Sequence, residues 1–168
     1  MSYLFADRQT RKNVQVVKKR NTSTWQVSYR YTWQFVEGSR ITYTPLSTSS
    51  TVIYEFYFAF SWDSAINNSD YKLQGGTTLG NMTDYDTGTT NQPYHYSHGC
   101  HGNPNDSKIN DLVILRYALD SWSGSKILQV SFKNRDDRNN FCRLHFTRHD
   151  GAPAYDAYYN AFVMCYEI

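Results

Sequence analysis

The stretch Trp25-Gln-Val-Ser-Tyr-Arg-Tyr-Thr-Trp-Gln-Phe35 decides the fold class. Trp25, Val27, Tyr29, Tyr31, Trp33 and Phe35 fall at alternate positions, with Gln26, Ser28, Arg30, Thr32 and Gln34 between them. Successive side chains of a strand point to opposite faces, and aromatic and β-branched side chains pack well on a pleated surface. The stretch is therefore predicted to be one strand with a packed face and a wet face. Glu37-Gly38 predicts a turn into a shorter strand, Arg40 to Thr44, the two forming a hairpin. Pro45 ends it, since proline cannot donate to a ladder.

Beyond the polar link Leu46 to Ser50, the run Thr51-Val-Ile-Tyr-Glu-Phe-Tyr-Phe-Ala-Phe-Ser61 is apolar in both alternating sets, as in a strand covered on both faces. A second sheet or a neighbouring subunit must cover it. Further strands are predicted at Asp111 to Leu119, Lys126 to Phe132, Phe141 to Arg148 and Tyr159 to Ile168, separated by stretches rich in turn residues. No segment shows a sustained 3.6-residue stripe. Seven or eight short strands without a helix point to an all-β chain, an antiparallel β-sandwich of jelly-roll type.

Length and composition fit this. The chain has 168 residues, 28 of them aromatic (Tyr 15, Phe 9, Trp 4), a size that suits one core. Hydrophobic residues at 40% and charged residues at 19% exclude disorder driven by charge. No apolar run approaches the ~18 residues that a bilayer span needs, and the start Met-Ser-Tyr-Leu-Phe-Ala-Asp has neither a basic n-region nor an h-region. Membrane insertion and signal-directed secretion are not expected. Cys100, Cys142 and Cys165, three thiols without close pairing, suit a reducing cytosol rather than a disulfide scaffold.

Two segments break the strand rhythm. Residues 62–110 are poor in aliphatics (Ile66, Leu73 and Leu79 are the main ones) and read as a long loop insertion. Residues 1–24 carry Arg8, Arg11, Lys12, Lys18, Lys19 and Arg20 against Asp7 alone, a net +5 that leaves −3 for residues 25–168 of a chain whose total is +2. This asymmetry suggests a docking arm for an acidic protein surface, with phosphate of nucleic acid the lesser reading. Val14, Val16 and Val17 in the arm also suit a short strand added to the sheet edge of a partner.

The loop aromatics Trp62, Tyr71, Tyr85, Tyr94, Tyr96 and Trp122 are the candidate binding residues, since Trp and Tyr combine a large apolar face with a polar tip. They stack on sugars, anchor a protein, close the ends of the sandwich or lie between subunits; the sequence leaves these open. His95, His98, Cys100 and His101 form the one cluster with zinc-ligand chemistry, but two separated ligand pairs are lacking and a plain surface loop is the preferred reading. Asp84 with Asp86, or Asn103, Asn105 and Asp106, offer oxygens to calcium without a full ligand array. No cofactor is expected. His145, His149 and Asp150 with Ser131 or Cys142 supply the residue types of a nucleophile, base and orienting acid, but spacing on strands does not establish that geometry, and two polar positions on a wet face are preferred. An enzyme is not expected. Asn-x-Ser/Thr matches at Asn21, Asn67, Asn81 and Asn105 are read as incidental.

The run Ile41-Thr-Tyr-Thr-Pro-Leu-Ser-Thr-Ser-Ser-Thr-Val-Ile-Tyr54, and Leu144-His-Phe-Thr-Arg-His-Asp-Gly151 followed by Tyr159 to Ile168, resemble segments of phage structural proteins with tumour-necrosis-factor-like jelly rolls. The likeness spans residues 25–168 in pattern, and the two quoted stretches are its specific part. It implies a homotrimer in the virion, made in the host cytoplasm, at a tail-fibre tip or on the particle surface. Receptor binding for host adhesion, or capsid decoration, would be its work. The chain departs from typical fibres in having no coiled-coil or collagen-like shaft. A free glycan-binding lectin-like module is the rival of another class.

Overall fold

A computed structural model describes residues 15–20, 25–27, 32–62, 69–85, 95–96, 109–134, 142–147, 157–158 and 160–168. The architecture is all-β and antiparallel; the described residues include one short 3-10 turn, Leu79–Asn81, and no longer helix. No helix among them is long and apolar enough to cross a membrane.

One sheet contains β1 (Gln15–Arg20), β2 (Trp25–Val27), β5 (Thr51–Trp62), β9 (Ile109–Asp120), β11 (Cys142–Leu144) and β14 (Asn160–Glu167). Its axis is β5. One edge of β5 pairs with β9 from Thr51↔Asp120 to Trp62↔Ile109. The other edge is shared end to end by β14, from Glu167↔Val52 to Phe162↔Tyr57, and β11, from Leu144↔Phe60 to Cys142↔Trp62. Outside these lie β1 against β14 and β2 against β11. The layer is thus four strands wide, with its outermost and next strands each assembled from two pieces.

The second sheet contains β3 (Gln34–Phe35), β4 (Ile41–Tyr43), β6 (Ser69–Gly76), β7 (Thr83–Asp84), β8 (His95–Tyr96) and β10 (Lys126–Asn134). β3 and β4 share one edge of β10, β6 takes the other, and β7 and β8 share the far edge of β6. This layer is also four strands wide. A separate ladder joins β12 (Phe146–Thr147) to β13 (Ala157–Tyr158).

Two expectations about residues 25–44 are corrected. The alternating stretch is not one strand, because β2 lies in the first sheet and β3 in the second. Period two specifies which side chains share a face, and it is blind to a change of sheet. Nor does Glu37-Gly38 make a hairpin, since β3 and β4 run in the same direction along β10. From Phe35 to Ile41 the chain advances six residues while β10 advances three, from Ser131 to Leu128, so the segment is a bulge. Gly38 supplies its positive φ of 83°. The buried Ser39 hydroxyl donates to the Val36 carbonyl at 2.6 Å and accepts from the Val130 N–H at 3.0 Å, satisfying groups the bulge takes out of the ladder.

Residues 62–110 are likewise not one loop: β6, β7 and β8 lie there, and the ends of β5 and β9 with them. In β6, Tyr71 and Leu73 face inward and are fully buried, while Lys72 and Gln74 face outward. A sheet with one packed face needs an apolar residue only at alternate positions, so eight residues with two large apolar ones suffice.

The core lies between the sheets. Tyr54, Phe56, Phe58, Val113, Leu115, Tyr117 and Val163 of the first meet Ile41, Tyr43, Tyr71, Leu73, Leu128, Val130 and Phe132 of the second in one apolar cluster. Phe58 and Tyr71 bridge the layers edge to face at 5.5 Å. Cys165 is a free thiol in this core, pushed up to about 12 by burial and by the neighbouring Glu167 carboxylate.

Glu167 fixes one end of the molecule. Its carboxylate accepts from the Leu46 N–H at 2.7 Å, the Ser50 hydroxyl at 2.7 Å, the Tyr43 hydroxyl at 3.1 Å and the Ser47 N–H at 3.3 Å. Burial acts to raise its pKa, but these donors outweigh burial and hold it below the ordinary 4.5. A carboxyl lowered by folding stabilises the folded state above its unfolded value, and that contribution is lost as the pH falls through the folded one. Melting temperatures between about pH 3 and pH 7 are therefore expected to fall below about pH 4.5. Glu167→Gln should melt lower than the parent at pH 7, with the gap narrowing in acid; a constant gap would remove Glu167 from this account.

Candidate interaction surface

The first sheet presents its even-numbered β9 residues outward, and two are large and apolar: Leu112 is 52% exposed and Ile114 56%. The register sets them in rows across three strands. Ala59 lies beside Leu112; Phe162, Tyr57 and Ile114 form the next row, then Met164, Glu55 and Arg116, then Tyr166, Ile53 and Ala118. The Phe162 and Tyr57 rings stack at 4.2 Å with 11° between their planes.

In this apolar setting Glu55 is 7% exposed. A carboxylate withdrawn from water needs donors. Tyr57 donates to Oε2 at 2.8 Å, Tyr166 donates to Oε1 at 3.0 Å, and the Arg116 Nε lies 3.1 Å from Oε1. Arg116 also donates to the Tyr166 hydroxyl at 3.4 Å, while its side chain stays 59% exposed. The carboxylate that accepts from Tyr57 is the main cause raising that phenol's pKa; for Tyr166 burial comes first and Glu55 second. The group binds β5, β9 and β14 together and sets two aromatic rings and a guanidinium at fixed places on the face.

The candidate binding aromatics fall elsewhere. Tyr71 is a core residue, fully buried between Phe58 and Phe132, which corrects its assignment to an exposed loop. Trp122 is 8% exposed and packs edge to face on Tyr43 at 6.3 Å, so it too belongs to the core. Tyr85 is half-buried and lies over Gly75, whose missing side chain makes the room. Tyr85 and Trp122 do come together around one cation, the Lys126 ammonium, at 5.9 Å and 5.1 Å from their ring centroids. Trp62 is the last residue of β5 and Tyr96 the last of β8; their side chains, and Tyr94 altogether, lie outside the described residues.

Of the arm, Lys18, Lys19 and Arg20 are in β1, paired with Phe162, Ala161 and Asn160 of β14 in the same chain. This corrects two expectations, a free arm over 1–24 and a strand reserved for another sheet edge, because the edge of β14 already takes it. Arg8, Arg11 and Lys12 lie outside the described residues, as do His98, Cys100, His101 and the side chain of His95. Among the described residues no group of three or more His, Cys, Asp or Glu is placed to hold a metal ion. Asp84 is engaged by Lys72 at 2.8 Å and Gln74 at 2.9 Å, and Asp86, Asn103, Asn105 and Asp106 are not described.

His145 is not on a wet face. It is 1% exposed, with its ring edge-on to Phe56 and Phe58 and its Nε2 2.7 Å from the Glu37 carbonyl. Ser131 is buried and donates to Gln74 Oε1 at 2.6 Å; His149, Asp150 and the Cys142 side chain are outside the described residues.

Sequence reasoning passed over Leu112, Ile114, Glu55 and Arg116. A signal existed: in Asp111-Leu-Val-Ile-Leu115 both alternating sets are apolar, so one of them had to end on the outside of a single-sided strand. No family model matches the chain, and no curated protein matches it either.

Proposed function

We propose that the chain is a non-enzymatic structural protein of a tailed-phage particle, a jelly roll that assembles as a homotrimer and adheres to the host surface as a tail-fibre or receptor-binding component. The observation that carries this reading is the succession of strands between the two layers. β1 is in the first sheet, β4 in the second, β5 in the first, β6 and β8 in the second, β9 in the first, β10 in the second and β14 in the first. This alternation of eight of the strands between two antiparallel layers supports the jelly-roll reading. The quoted resemblance gives that plan its viral setting. The exposed Leu112 and Ile114 on an outer sheet face favour assembly over a solitary module.

The test is the solution mass by light scattering, with binding of the labelled chain to candidate bacterial hosts. A trimer that binds cells supports adhesion, and a trimer that ignores them favours capsid decoration. A monomer with saccharide affinity would favour the lectin-like reading. Since β1 belongs to the first sheet, the docking role narrows to residues 1–14, with Arg8, Arg11 and Lys12. Removing residues 1–14 is expected to leave the number of copies per assembly and the melting temperature unchanged and to abolish incorporation into particles. Unimpaired incorporation would end the docking reading.

A further inference from the structure

We propose that the outer face of the first sheet, centred on Leu112 and Ile114 of β9, is the surface by which copies of this chain bind one another. This rests on the assembly reading above and names its contact. The face has the make-up of an interface core, with Tyr57, Tyr166, Phe162, Met164 and Arg116 beside the two exposed aliphatics, and Lys18 of β1, next to Phe162 in the register, at its rim. The Glu55 group holds the rings and the guanidinium in place before any partner arrives, which lowers the ordering cost of association.

Charge selects the occupant. Glu55 and Arg116 neutralise each other, so the centre of the face offers no net charge to a strongly acidic or basic partner. A surface repeated about a symmetry axis must avoid meeting its own sign, and this one does. Arg116 keeps an exposed guanidinium, and Asp120, exposed, lies four residues along the same face of β9. A second copy therefore brings an acid for Arg116 and a cation for Asp120.

The test uses the full chain in sedimentation and light scattering across a concentration series. Ile114→Asp is expected to weaken self-association by about 100-fold, with the far-UV spectrum and melting temperature of the parent. Leu79→Asp, which charges an aliphatic 54% exposed on the turn after β6, is expected to leave the mass unchanged. Should Ile114→Asp fail to fold, Leu112→Asp addresses the same face. Hydrogen exchange on the unmodified chain needs no variant: protection over residues 109–120 should rise with assembly. An oligomer unaffected by Ile114→Asp, or one with unchanged protection over 109–120, overturns this face and leaves the trimer standing. A parent chain that stays monomeric overturns both. A monomer that uses Ile114 to bind a host or virion protein overturns self-association and assigns the face to that partner.

Discussion

Phe58→Ala is expected to lower the free energy of unfolding by about 3–5 kcal/mol, read from denaturant titrations. Phe58 is fully buried where the layers meet. Its ring stacks on Phe56 at 4.8 Å, stands edge-on to Tyr71 at 5.5 Å and faces His145 at 6.0 Å. Truncation removes the transfer free energy of the ring and leaves a cavity between two sheets whose backbone ladders resist collapse. Phe58→Leu, which retains most of the volume, should cost less than half as much. A loss under about 1 kcal/mol for Phe58→Ala would show that the layers do not depend on this contact.

The second large effect is expected at His145. Its φ of 63° lies in the left-handed region, where histidine, asparagine and aspartate are tolerated and β-branched residues are not. The His145 N–H donates to the Ala59 carbonyl at 2.6 Å, tying the break between β11 and β12 to β5. The ring reaches the Glu37 carbonyl at 2.7 Å, and so ties the first sheet to the bulge of the second. His145→Ala loses the ring packing and leaves that carbonyl without this partner, for an expected cost of about 2–4 kcal/mol. His145→Val should cost more, by adding backbone strain, and His145→Asn should relieve the part that is conformational. Equal losses for all three would remove backbone conformation from the explanation.

Most of the strand ladder was legible. Thr51–Ser61, Asp111–Leu119 and Lys126–Phe132 match β5, β9 and β10 closely, and Tyr159–Ile168 contains β14, because each carries an uninterrupted apolar phase. What escaped was set by distant parts of the chain. The bulge at 36–40 exists because Ser39 finds the Val130 N–H, ninety-one residues away. β6 was hidden by Gly75 and Gly76, which weaken any local strand signal. The glycines are needed there: the Tyr85 ring lies against Gly75, and a Cβ on Gly76 would come 2.7 Å from the Asn81 carbonyl. Alternation placed His145 on a wet face because it assumes an unbroken strand, and the left-handed residue breaks it. Within the interaction surface, the double apolar phase of β9 was visible, but the partnership of Glu55 with Arg116 depends on a register that only the folded sheet sets.

The central place of β5 also has a consequence for how the chain is made. On a ribosome β5 emerges long before either strand that flanks it, since Tyr57 pairs with Ile114 on one side and Phe162 on the other. Until residues 160–167 have left the exit tunnel, Val52 to Tyr57 on one border of β5 stay without their native neighbour, since β11 reaches only Phe60 to Trp62 of that border, and vectorial synthesis leaves the first layer incomplete. Closure then waits on contacts of high sequence separation, which are slow to form. Truncated or stalled products ending before residue 160 should accordingly engage chaperones or aggregate, whereas a chain that includes residues 160–167 closes that border with β14.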